Sequence, residues 1–248
     1  MARRYRVRQS VSEFGQLVLK ATLGVGVPLG IAEDIVQSVL WLQIRGFVAD
    51  RSICHALTSL DLGDANPGKV TDGSQHELKA LPGKKLSSVY LSAFLMDALQ
   101  TGWPPVGKSV TYPEVDSPLL VLGALAWANN EAQRTFRLQF VTDEQAFSVK
   151  IMPRGATVHR FKKQPTSTHN GAGGFTVQNA DTQPCHDGAE LILDDSLAED
   201  HVRVGRRAGL TADARSVACL KAFADRMLVL ESDRSLRQGA GAGVIDAD

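Results

Sequence analysis

The sequence predicts an α+β protein in which an N-terminal helical hairpin and a C-terminal helix pack on a mainly antiparallel sheet. Three observations carry this. Apolar residues recur at helical spacing near both ends of the chain. Between them, short segments alternate apolar and polar residues. The gaps between those segments are too short for crossover helices, so the strands should run antiparallel. At 248 residues, 44% hydrophobic and 22% charged, the composition is globular, and 1–248 is read as one domain.

The first helix starts at Ser10, which stands with Glu13 at the spacing of a capping box. Phe14, Leu17, Val18 and Ala21 form its apolar stripe. Gly24 and Gly26 end it, and Pro28 lies in the turn. A second helix is predicted over 30–45. Its stripe is Ile31, Ile35, Val39 and Leu42, widened by Ala32, Val36 and Leu40, and Gly46 caps it. So short a turn joins the two as an αα-hairpin, which a third helix over 51–60 closes. This is the helical hairpin region, 10–60.

Residues 61–107 form a connecting region. Its first part, 61–86, is rich in Gly, Pro, Asp and Lys and reads as a long surface connection. A helix follows over 87–99 with Leu91, Phe94, Leu95 and Ala98 inward, stopped by Trp103-Pro104-Pro105. The sheet is expected over 108–205, with strands at 135–141, 147–152, 157–163, 174–178, 189–193 and 201–204. Residues 165–174 read as a loop by composition. Helix returns near Thr211, with Asp213 as an early acid and Val217, Leu220, Ala224 and Met227 as its inner stripe. With the glycine-rich tail it makes up 211–248.

Charge and cysteine usage narrow the setting. The 27 Lys and Arg balance 27 Asp and Glu, which argues against a nucleic-acid partner. Arg160, Lys162 and Lys163, then Arg203, Arg206 and Arg207, make two basic patches that charged edge strands would explain. Cys54, Cys185 and Cys219 are odd in number and widely spaced, so they read as reduced thiols. Arg3, Arg4, Arg6 and Arg8 look like the start of an export signal, but Ser10, Ser12, Glu13 and Lys20 interrupt its apolar stretch. No apolar run reaches the ~18–20 residues of a membrane helix. The expected location is the cytoplasm, with a small molecule or a protein as partner and no membrane.

No catalytic residue can be assigned. Cys185-His186-Asp187 sets a thiol, an imidazole and a carboxylate side by side, but neighbours in sequence point apart and match no cysteine-enzyme signature. Cys54 beside His55 reads as a small buried residue. The six histidines lack close metal-ligand spacing, so no metal is expected; only strand pairing would bring His159, His186 and His201 together. The sequence points to no particular cofactor. The tail's Gly239, Gly241 and Gly243 do not open a βαβ helix, so they form no dinucleotide loop. They read instead as a ligand-binding segment that folds back, with Asp246 and Asp248 meeting a cation.

Two resemblances add to this. Lys20-Ala21-Thr22-Leu23-Gly24-Val25-Gly26, followed by Gly30-Ile31-Ala32-Glu33-Asp34, resembles the opening of an uncharacterised bacterial family, the domain of unknown function numbered 3726. The ending Gly239 to Asp248 resembles that family's Gly-Ala-Gly-Ala-Gly close. This chain departs from it at Leu23 and at Leu236, where the family favours arginine, and at Leu29, where it favours tryptophan. The resemblance implies a job for the tail and, at the two lost arginines, an altered or abolished family function. It fits a small enzyme or accessory subunit of small-molecule catabolism, or else a noncatalytic binding protein. Gly26-Val27-Pro28, Ala32-Glu33 and Arg45-Gly46-Phe47 are also similar to the N-terminal helices of the malate/lactate/sulfolactate dehydrogenases. Those continue with Ser-His-Gly, whereas Val48-Ala49-Asp50 stands here in a shorter chain, so the implied likeness is confined to the helical hairpin.

Overall fold

The computed structural model describes residues 5–70, 77–142, 145–153, 155–162, 174–179 and 189–227. Strand β1 (Arg6–Gln9) leads into α1 (Val11–Gly24). The capping box forms as the spacing predicts: Glu13 N–H donates to Ser10 Oγ at 3.1 Å, and Ser10 N–H donates to Glu13 Oε2 at 2.8 Å. Phe14, Val18 and Ala21 are buried, and Leu17 packs against the core. Gly26 has φ +86°, the turn conformation expected of it. Gly24 serves another need: a Cβ there would lie 1.9 Å from the Phe223 carbonyl oxygen, so glycine lets the C-terminal helix approach.

Helix α2 (Leu29–Ile44) is followed by Gly46 at φ +85°, and α3 (Ala49–Asp61) packs on α2. The connection after it is more ordered than its composition suggests. Short strands β2 (Ala65–Asn66), β3 (Lys69–Val70), β4 (Leu78–Lys79) and β5 (Lys85–Leu86) pair within it, and Leu78 and Leu86 are buried. Buried leucines, each worth about 1.5–3 kcal/mol of transfer free energy, overcome the loop-forming composition. Helix α4 (Ser88–Gln100) buries Leu91, Leu95 and Ala98 as predicted, while Phe94, also expected inward, is only partly buried at the core's edge. Strand β6 (Ser109–Tyr112) follows.

Two helices lie where strands alone were expected. The first is α5 (Pro118–Ala132), the central element, which packs against α2 and α4 and also against the sheet. The second is α6 (Asp195–Ala208), which replaces the strand predicted at 201–204. Asp194 caps it through the Leu197 N–H at 2.9 Å. The alternation of His201-Val202-Arg203-Val204 is four residues long and yields to helical signals on either side: acids at its start, Arg206 and Arg207 at its end, and Gly209 beyond.

The main sheet has six strands in the order β11-β9-β8-β7-β10-β6, all antiparallel. Its other members are β7 (Phe136–Val141), β8 (Gln145–Met152), β9 (Gly155–Lys162), β10 (Phe175–Gln178) and β11 (Glu190–Leu193). The pairs Phe136–Ile151, Leu138–Val149 and Phe140–Phe147 share one face and are buried with α5. The α+β class with a mainly antiparallel sheet therefore holds. Strand β12 (Leu210–Asp213) occupies the expected helix start and pairs with β1; α7 (Ala214–Ala224) begins after it, with Asp213 as N-cap. Val217, Leu220 and Ala224 are buried, but Met227 is 47% exposed, and Phe223 takes its place inside.

The cysteines correct another expectation. Cys54 on α3 and Cys219 on α7 form a disulfide across 165 residues of sequence. Only the packing of α3 beside α7 brings them together, which spacing does not reveal.

Candidate functional site

Four elements enclose a cleft of about 890 Å³. Helix α2 supplies Gln37, Leu40 and Trp41, and Arg45 stands just beyond its end. Strand β1 supplies Arg8 and Gln9, α5 supplies Trp127, and the last turn of α6 supplies Arg206 and Arg207. A second cavity of about 630 Å³ meets it at Arg45, Arg206 and Arg207, with Asp195 and Glu199 on its far side. Gly155 forms part of that second wall because Asp195 fills the space its Cβ would need.

Arg45 lies at the centre. Its guanidinium rests 4.2 Å from the centroid of the Trp41 ring, and Nη1 donates to the Trp41 carbonyl at 3.1 Å. Burial pulls its pKa down to about 10. A guanidinium carries five N–H donors, and among the described residues no carboxylate forms an ion pair with this one. A desolvated charge without a counter-charge is unfavourable, and an anion in the cleft would relieve it. His201 fixes the backbone here: its ring Nδ1–H donates to the Arg45 carbonyl at 2.8 Å, and its ring packs against Gly46.

A second polar cluster sits where α3, α4 and α5 meet. Ser88 N–H donates to Asp116 Oδ1 at 2.8 Å, so a buried carboxylate caps α4 from outside that helix. Desolvation raises the Asp116 pKa, opposed by Ser88, the Ser117 amide and His55. His55 Nδ1 lies 3.1 Å from Ser117 Oγ, and that hydroxyl donates to the Ser52 carbonyl at 3.2 Å. With its proton so used, Ser117 accepts from His55, and His55 is not placed as its base. The group braces helix ends and is no nucleophilic relay.

Asp116 has a testable pH signature. A raised carboxyl pKa means that the fold binds this proton more tightly than the unfolded chain does. Its contribution should therefore fall as pH rises from the unfolded value near 3.9 through the raised folded value, then level off. Thermal melts of wild type and Asp116→Asn across pH 3–7 check this: the wild-type Tm minus the variant Tm should decrease with pH. An increase would show that the carboxylate is held ionised.

The sequence-derived site residues fare unevenly. Gly239, Gly241, Gly243, Asp246 and Asp248 lie outside the described residues, as do Leu236, Cys185, His186 and Asp187. Leu23 packs against the core. Arg160 pairs with Glu190 at 2.6 Å on the neighbouring strand, so part of the first basic patch is neutralised. The second patch lies on a helix and not on an edge strand. His201 also stands on that helix, so strand pairing does not place it beside His159. Among the described residues no group of three or more His, Cys, Asp or Glu is placed to hold a metal ion. No described helix is long and apolar enough to cross a membrane. Trp41, Arg45 and Trp127 went unmarked as site residues in the sequence. Arg206 and Arg207 were visible as a patch, but nothing local ties them to Arg45.

Two solved structures share this architecture. A malate dehydrogenase from Pyrococcus horikoshii OT3 superposes with a TM-score of 0.58 at 8% identity, over 91% of this chain and 97% of that one. A dehydrogenase from Sinorhizobium meliloti gives 0.55 at 11%, over 89% and 100%. The fold likeness thus extends far beyond the helical hairpin to which the sequence confined it. Residues 9–80 match the family described as protein of unknown function (DUF3726), the family that the N-terminal motifs resemble. No curated protein matches the chain.

Proposed function

We propose that this is a bacterial, cytoplasmic protein of small-molecule catabolism, an enzyme or its accessory subunit, that holds an organic anion in the arginine cleft. The observation that carries the reading is Arg45, a half-buried guanidinium stacked on Trp41 and lacking an ion-pair carboxylate among the described residues. Arg206 and Arg207 would add charge, and Trp127 an apolar wall. One solved neighbour is a malate dehydrogenase, which makes malate the first probe, with lactate and inorganic phosphate beside it. The tail belongs to the same proposal: Gly239, Gly241 and Gly243 would let it lie close, and Asp246 and Asp248 are the chain's own anions for these cations. A noncatalytic binding role is the second reading. It is favoured by Leu23, an apolar residue where the family it resembles carries arginine.

Tryptophan fluorescence tests the cleft, since Trp41 and Trp127 line it. Saturable quenching by one of the three anions is expected. Arg45→Gln should weaken binding about 10-fold or more, the cost of losing a charged hydrogen bond. It should leave the Tm nearly unchanged, because the partly desolvated charge that is removed has no counter-charge to lose. Equal affinity in the variant would remove Arg45 from the site. Deleting 239–248 should alter the affinity, and an unaltered value would take the tail out of the proposal.

A further inference from the structure

We infer that Cys54 and Cys219 form a reversible thiol–disulfide exchange site, and that its state sets how firmly the β1/β12 wall of the cleft is held. The part about the wall rests on the cleft geometry; the exchange chemistry does not. Both cysteines are partly exposed, so a small thiol can reach them. The reaction balances as one disulfide plus two thiols, R–SH, giving two cysteine thiols plus R–S–S–R. Glutathione or a dithiol is the co-reactant class. In the cytoplasm proposed above, a disulfide is characteristically transient and redox-sensing, which fits this chemistry.

The mechanical path is short. Besides packing, four ties fasten α7 and the residues flanking it to α3: two ion pairs, the disulfide, and the Asp213 N–H bond to Asp50 Oδ2. At one end Arg51 pairs with Asp213 at 2.8 Å; at the other Arg226 pairs with Asp61 through both carboxylate oxygens. Both ion pairs are partly exposed and weakened by salt, so the disulfide between them is the durable link. Strand β12 runs directly into α7, with Asp213 shared as its last residue and the helix N-cap. Strand β1 pairs with β12 in a sheet of two strands. Arg8 and Gln9 of β1 line the cleft. Opening the disulfide leaves α7 and β12 held by the partly exposed ion pairs, by the Asp213 N–H bond to Asp50 Oδ2 and the Gln43 bond to the Thr211 carbonyl, and by packing against α1 and α3. The wall that carries Arg8 then loosens.

The experiment uses the full chain with Cys185→Ser, which leaves only this pair. Glutathione buffers of graded ratio poise it, and alkylation followed by mass spectrometry counts the thiols. Amide hydrogen exchange is then measured without ligand in both states. We expect no thiol in the oxidised native protein, two after reduction, and full recovery on reoxidation. Exchange at residues 6–9 and 210–213 should quicken at least 10-fold on reduction, while 136–141 and 145–152 stay unchanged. The Cys54→Ala, Cys219→Ala double variant should match the reduced state. Two thiols in the native protein under every buffer would overturn the proposal, and so would exchange that is unchanged or rises uniformly. Since no ligand is present, failure of the anion proposal leaves this outcome readable.

Discussion

Gly123→Ala should destabilise the protein by about 2–4 kcal/mol, and Gly123→Val should prevent native assembly. Gly123 lies in the middle of α5 where α2 crosses it. A Cβ there would stand 2.6 Å from the Ser38 carbonyl oxygen and 2.7 Å from both Ser38 Oγ and Leu42 Cγ. The nearest atom is backbone and cannot rotate away, so the helices must separate. Separation would also break the hydrogen bond from the Ser38 hydroxyl to the Leu120 carbonyl and open the buried layer beneath. Gly30→Ala is the matched control. It also lies in a helix, but nothing comes within 4 Å of its Cβ position. Alanine there should be neutral or slightly stabilising, by up to about 1 kcal/mol. Urea denaturation of the three variants gives the comparison, and equal midpoints for Gly123→Ala and Gly30→Ala would show that the crossing tolerates expansion.

Val39→Asp should cost about 4–5 kcal/mol, at the extreme of single substitutions. Val39 is fully buried on α2 among apolar neighbours, where a carboxylate gains no partner and loses its water. Gln37, two residues earlier, is half-buried and faces the cleft, so Gln37→Asp should change stability by no more than about 0.5 kcal/mol. The pair tests the phase of the helix. If both variants melt at the same temperature, α2 is rotated from the orientation described.

The elements legible in sequence share a property: each has two unlike sides. Helices α1 and α7 put apolar and polar residues on opposite faces, and β7 and β8 alternate, so period alone identifies them. Helix α5 has no such contrast. Pro118 to Ala126 is buried on nearly every side, and a uniformly apolar run carries no period to read. For α6 the signals were present in Asp194, the early acids and the late arginines, but a four-residue alternation inside the helix mimicked a strand. The candidate site was hidden for a different reason. Arg8, Arg45, Arg206 and Trp127 come from four elements, and none has a local pattern that marks it as a partner of the others.

By itself, the sequence determined the α+β class, the capped first helix, the glycine turns and the likeness to a family of unknown function over residues 9–80. These depend on contacts within a few residues, or on a pattern along one element. Tertiary structure alone decided the Cys54–Cys219 link, the placing of α5 between helices and sheet, and the convergence of arginines on one cleft. Each of those joins residues far apart in the chain. Their meeting depends on how whole faces pack against one another, and neither composition nor periodicity encodes which distant faces will meet.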